Sequence, residues 1–198
     1  MDSIEKLQAL FERFPGIGPR QATRFVQFLL RSSPSFRREI ADEIQKLGNN
    51  VRQCADCRRF FAGNTDKCSI CKSTSRNNSL LLVVSADADI ETIERSQNYN
   101  GKYFVLGCLI AFSDSKKLPN EKHLLALLSE KPDIKEVIIA LPANPEGDNT
   151  EEYIRSLITS SMKRTKATLS TLGRGLSTGS EIEYADAETI RNALENRH

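Results

Sequence analysis

Cys54, Cys57, Cys68 and Cys71 form two CxxC pairs with ten residues between them, and nothing else in the chain restricts its fold as tightly. Each pair makes a tight knuckle that turns two sulfurs toward one point, and a connection of this length closes both knuckles around a single tetrahedral ion. Four thiolates complete the coordination sphere of Zn²⁺ and leave no open position for a reactive water, so the expected role is structural. The ion's binding energy folds a segment too short to have its own core. Arg58, Arg59 and Lys67, inside the same segment, read as solvated basic residues.

A chain of 198 residues, 39% of them hydrophobic, can bury a real core and carry small appendages beside it. Its longest apolar run, Leu80 to Val84, falls far short of the roughly 20 residues that span a bilayer. Met1 to Lys6 lack the basic and then apolar order of a secretion signal, so a cytoplasmic protein without membrane association is expected. Clustered cysteines then read as metal ligands rather than disulfides. Cys108, beside Tyr103 to Leu106, reads as a small buried side chain. The net charge of +2 is unevenly distributed. Residues 1–60 hold eleven Lys and Arg against seven Asp and Glu, while the remainder holds seventeen against nineteen, so the mildly basic N-terminal part suits phosphate contacts.

The hydrophobic period is helical first and strand-like later. Ile4, Leu7, Leu10, Phe11 and Phe14 recur at three- and four-residue steps, predicting a helix stopped by Pro15. Pro19 suits the first position of a second helix with Ala22, Phe25, Val26, Leu29 and Leu30 as its stripe. Ser33 and Pro34 cap and start a third, with Phe36, Ile40, Ile44 and Leu47 inward and Gly48 as its stop. After the cysteines, the polar stretch Ser73 to Ser79 reads as a linker. Strands are then expected at 80–84, 103–106 and 136–141, each followed by a helix, at 89–95, 120–130 and 150–162. This alternation predicts βαβ units around a parallel sheet. Further strands are expected at 167–171 and 181–184, with a closing helix over 187–196. The fold class is multi-part α/β.

Two places can bind a ligand. In Phe14-Pro15-Gly16-Ile17-Gly18-Pro19-Arg20 the glycines let backbone approach a ligand closely, and the following helix presents its positive end there. Arg20 and Arg24, four apart, share a face that can hold neighbouring phosphates. A plain helical turn with solvated arginines would show the same residues. Acidic loops follow two of the predicted strands: Ser85-Ala86-Asp87-Ala88-Asp89 and Glu146-Gly147-Asp148-Asn149-Thr150. Carboxylates at the carboxyl ends of parallel strands can hold Mg²⁺. Alternatively, Asp87 and Asp148 or Thr150 cap helices.

The turn resembles the helix-hairpin-helix motif of proteins that bind DNA without sequence preference. The order of helix-hairpin-helix (1–52), four-cysteine zinc finger (53–76), Toprim-like α/β domain (77–172) and C-terminal Walker-B-like segment with a helix (173–198) resembles the bacterial RecR family of recombination mediators over essentially the whole chain. The resemblance places DNA contacts at Pro15, Gly16, Gly18, Arg20 and Arg24 and zinc ligands at the four cysteines. It places the acidic Toprim signature at Asp89, Glu146, Gly147 and Asp148, and the Walker-B-like positions at Arg174, Gly175, Gly179, Glu181, Glu183 and Asp186. It implies a non-enzymatic clamp on single- and double-stranded DNA, a ring-like homotetramer acting with RecO and RecF to load RecA at single-stranded gaps. Departures are Ser85 in place of the family's Glu, which argues against Toprim nuclease or primase chemistry, a 111–119 loop without the Gly- and Pro-rich pattern, and Ser177, Thr178 and Ser180 in place of Pro, Val and Gly. A Mg²⁺-dependent nuclease or primase using Asp89, Glu146 and Asp148 is the rival reading.

Overall fold

The computed structural model describes residues 1–111, 118–161, 167–176 and 179–195. It divides into two compact units, Met1–Val51 and Arg52 onward. In the first, helix α1 (Ser3–Phe11) starts with a reciprocal cap: the Asp2 carboxylate accepts from Ile4 and Glu5 N–H, and Glu5 accepts from Asp2 N–H. Helix α2 (Pro19–Arg31) packs against α1, with Phe11 and Phe25 ring centroids 5.5 Å apart. Helix α3 (Pro34–Asn50) is capped by Ser33, whose Oγ accepts from Phe36 N–H. It runs two residues past Gly48, whose φ is not positive, so no left-handed turn stops it there.

The apolar stripes of these helices are only partly covered. Ala22 and Val26 are buried, but the expected inward residues Ile44 and Leu47 are 62% and 59% exposed, and Ile4, Leu10, Phe14, Phe28 and Phe36 also face outward. Three short helices provide too little surface to cover one another's apolar faces.

After α3 come a two-stranded sheet, β1 (Val51–Gln53, its first residue the last of the first unit) and β2 (Phe60–Ala62), and a one-turn helix, α4 (Ser69–Lys72). A four-stranded parallel sheet follows in the order β4 (Lys102–Val105), β3 (Leu80–Val84), β5 (Glu136–Ala140) and β6 (Thr168–Thr171). Helices α5 (Asp87–Ser96), α6 (Glu121–Glu130) and α7 (Pro145–Ser161) alternate with the strands. Period-2 alternation in β3 sends Leu81 and Val83 into one core and Leu82 and Val84 into another, which is why the strand reads as an unbroken apolar run. The first core takes Leu124, Leu127 and Leu128 from α6 and Ile154 and Ile158 from α7. The second takes Ile90 of α5 together with Cys54, Cys57, Cys68 and Ile70.

Three expectations change. Helix α7 begins at Pro145 rather than Thr150, because Asn144 caps it by accepting Gly147 N–H at 2.8 Å and Pro145 supplies the first turn, so the acidic residues lie in a helix and not in a loop. Residues 182–184 form a 3₁₀ turn where a strand was expected: Ile182 is 68% and Tyr184 80% exposed, and among the described residues no strand pairs with them. Cys108 is exposed, beyond the end of β4 where the apolar run stops. A final helix, α8, spans Ala187–Glu195. Residues 112–117, Met162, Ser177, Thr178 and Asn196, which figure in the expectations above, lie outside the described residues.

Candidate functional site

The four cysteines converge. Their sulfurs lie within 4.8 Å of one another, Cys57 Sγ and Cys68 Sγ are 3.6 Å apart, and three of the four side chains are buried. A tetrahedron with metal–sulfur bonds of about 2.3 Å has edges of about 3.8 Å, so the donor set fits a tetrahedral ion. A four-thiolate metal set requires that the thiols lose their protons. A bound cation replaces those protons and leaves four thiolates.

The cluster is fixed to the sheet rather than hung from it. Cys57 C=O accepts from Val105 N–H at 2.9 Å, and Phe60 N–H donates to Asp87 of α5 at 2.7 Å. Asp56 accepts from both Lys67 and Lys131 at 3.0 Å. Lys102 Nζ donates to the carbonyls of Ile70, Cys71 and Ser73, and burial pulls its pKa below the ordinary lysine range. Arg58 holds a left-handed backbone (φ 63°) and reaches Gln53 and the buried Asn120. Arg58 is therefore not the solvated basic residue expected from the sequence.

The hairpin turn, in the first unit, is open to solvent. Gly16 is left-handed at φ +75°, and a Cβ built on Gly16 or Gly18 would meet nothing within 4 Å. Gly18 is the N-cap of α2 and no side chain caps that helix end. Arg20 and Arg24 are exposed one turn apart on α2. Thr23 Oγ1 donates to Pro19 C=O and accepts from Gln8, tying α1 to the start of α2.

Asp87, Asp89 and Asp148 are engaged by the protein itself. Asp89 Oδ2 accepts from Ser85 Oγ at 2.7 Å and from Ala86 N–H at 2.9 Å, capping α5. Asp87, a candidate cap, instead receives Phe60. Glu146 is exposed in the first turn of α7, where its backbone C=O accepts from Thr150 Oγ1. Asp148 pairs with Arg174 at 2.6 Å. The buried Thr150 accepts from Ile110 N–H, while Asn149 donates to Ile110 C=O, so α7 grips the segment after β4 from both sides. Gly147 permits a close approach: a Cβ there would lie 1.9 Å from Pro142 O. Asp186 accepts from Thr189 N–H and Oγ1, capping α8, and Gly179 is left-handed at φ +84°.

Comparison with known proteins fits this arrangement. A family model described as Toprim domain matches residues 79–172, and one described as RecR, C-terminal, matches residues 175–198. Proteins named Recombination protein RecR are similar over nearly the full length: 39% identical in Prochlorococcus marinus (strain AS9601), over 98% of this chain and 94% of the relative. The chain belongs to the RecR family. Other RecR relatives include one from Parasynechococcus marenigrum (strain WH8102), 38% identical over 94% of both chains. Another, from Carboxydothermus hydrogenoformans (strain ATCC BAA-161 / DSM 6008 / Z-2901), is 36% identical over 99% of this chain and 96% of its own. Within this RecR-family chain, residues 79–172 contain the whole parallel sheet, and the C-terminal match begins directly after Arg174.

Proposed function

We propose that this RecR-family chain is a DNA-binding recombination mediator without chemistry of its own, a zinc-stabilised oligomeric clamp in recombinational DNA repair. It acts with RecO and RecF to load RecA at single-stranded gaps. The observation that carries the reading is the open hairpin turn, with solvent-facing glycines, an uncapped helix start and two exposed guanidinium groups one turn apart. Such a surface binds backbone phosphates of single- or double-stranded DNA and reads no bases. Ser85, a hydroxyl engaged by Asp89 where the family has Glu, supports the absence of strand cleavage. The exposed apolar stripes of α1 to α3 support assembly through this unit into a ring-like tetramer, in which several weak hairpins act together. Zn²⁺ suits the four-thiolate set, and it acts in the cytoplasm, where such thiols stay reduced.

The test is a low-salt mobility-shift titration of the Arg20→Ala, Arg24→Ala double variant. Most DNA retention is expected to vanish while the circular dichroism spectrum stays unchanged; undiminished binding removes the hairpin from the mechanism. Incubation of labelled DNA with Mg²⁺ or Mn²⁺ tests the second half of the reading, since nicking that disappears in Glu146→Gln would make the chain an enzyme.

A further inference from the structure

The Toprim fold implies a divalent cation at its acidic residues, and this chain's geometry does not fit one. Mg²⁺ demands several oxygens at about 2.0–2.1 Å in near-octahedral order. Among the described residues, the four cysteines are the only group of three or more His, Cys, Asp or Glu side chains whose ligand atoms gather within 4.8 Å of one another. Asp89, Glu146 and Asp148 therefore do not supply three ligands to one point, and two of the carboxylates are already held, Asp89 by Ser85 and the Ala86 N–H and Asp148 by Arg174.

A cation of a different kind stands at this edge. Asp148, Glu151 and Arg155 succeed one another at three- and four-residue steps along one face of α7. Arg155 donates to Glu151 at 2.8 Å, and Thr171, at the end of β6, joins both. Leu172 N–H continues the pairing with Ile139 C=O, so the chain leaves β6 alongside β5 and brings Arg174 back onto α7. There its guanidinium lies 2.6 Å from Asp148 Oδ1 and 3.7 Å from Glu151 Oε2, with the Arg174 side chain only 24% exposed. An open cleft lined by Ala143, Gly173, Arg174, Gly175, Asp186 and Asn192 marks where the C-terminal segment meets the loop after β5.

We infer that Arg174 is a tethered cation for the acidic edge: a positioning residue that neutralises Asp148, reinforces the Glu151–Arg155 pair, docks the C-terminal residues 179–195 beside α7, and makes the Toprim domain independent of divalent metal. A planar guanidinium can engage two carboxylates at once, which an ammonium does less well. Docking through partly shielded ionic contacts weakens as salt rises.

Two measurements on the full chain with its cysteine site loaded test this. Mn²⁺ titration followed by electron paramagnetic resonance is expected to show no saturable binding to the parent protein at millimolar concentrations. Amide exchange across 179–195 is expected to rise about fivefold to tenfold in Arg174→Gln and equally in Asp148→Asn, with no further rise in the double variant and partial recovery in Arg174→Lys. Retained metal content at the cysteines shows that each variant is folded, and Asp148→Asn serves if Arg174→Gln is not. Saturable Mn²⁺ binding that Asp148→Asn abolishes, or unchanged exchange in both single variants, overturns the inference.

Discussion

Gly18 and Gly147 are glycines for opposite reasons. A side chain on Gly147 would collide with Pro142 O at 1.9 Å, so its role is internal to the fold. Gly147→Ala is expected to lower unfolding free energy by about 2–4 kcal/mol in a urea titration, because α7 must move off the loop that its first turn touches. A side chain on Gly18 would meet open space at an ordinary φ of −90°. Gly18→Ala is therefore expected to change stability by about 1 kcal/mol or less. DNA affinity is expected to fall clearly in a filter-binding assay if phosphates approach the backbone there, and equal affinity would show that they do not. The sequence alone cannot separate these two residues, since both stand beside proline or acidic residues in turn-like surroundings.

At the scale of elements, the metal module is part of the sheet's second core. Cys54, Cys57, Cys68 and Ile70 share a core with Leu82, Val84, Tyr103 and Val105, so release of an ion held by the cysteines would uncover one face of β3 and β4. Removing the metal with a strong chelator, or replacing Cys71 with Ser, is expected to lower the melting temperature and raise binding of an apolar dye, with β4 amides losing exchange protection. An independent finger would leave β4 unchanged. Near the same core, burial raises the Glu94 pKa, but hydrogen bonds from Arg76 and Tyr103 outweigh it and hold the carboxyl below its usual range. A folded pKa below the unfolded one means stability present above the unfolded value and lost as pH falls through the folded one. Tyr103→Phe is thus expected to make the acid limb of a stability–pH profile shallower. Most elements were legible because the apolar period is a local property. The exceptions have local or distant causes. Asn144-Pro145-Glu146 carries a local helix start, whereas residues 182–184 have strand-like side chains but no partner strand among the described residues.

For the whole molecule, the decisive feature is the uncovered apolar surface of the N-terminal unit. Ile44 and Leu47 lie on α3 at helical spacing, and a monomer gains nothing by exposing them. Replacing both with Glu is expected to reduce the mass seen by light scattering to that of a single chain. The same change is expected to weaken DNA binding by about a hundredfold, although neither residue belongs to the hairpin, because avidity is lost. An unchanged mass would place the assembly surface elsewhere. Raising salt is expected to weaken the parent steeply and the single-chain variant less steeply, since fewer phosphates are neutralised together.

The amino-acid sequence alone determined the four-cysteine cluster, the parallel strand pattern and the two-glycine turn, because each is set by spacings within a few dozen consecutive residues. Only the tertiary structure decided where the carboxylates are engaged. Asp148 meets Arg174, Asp87 meets Phe60 and Asp56 meets Lys131, and each pairing joins residues far apart in the chain. An acidic residue in a sequence carries charge but no address, and the partner that neutralises it is chosen when strands and helices pack.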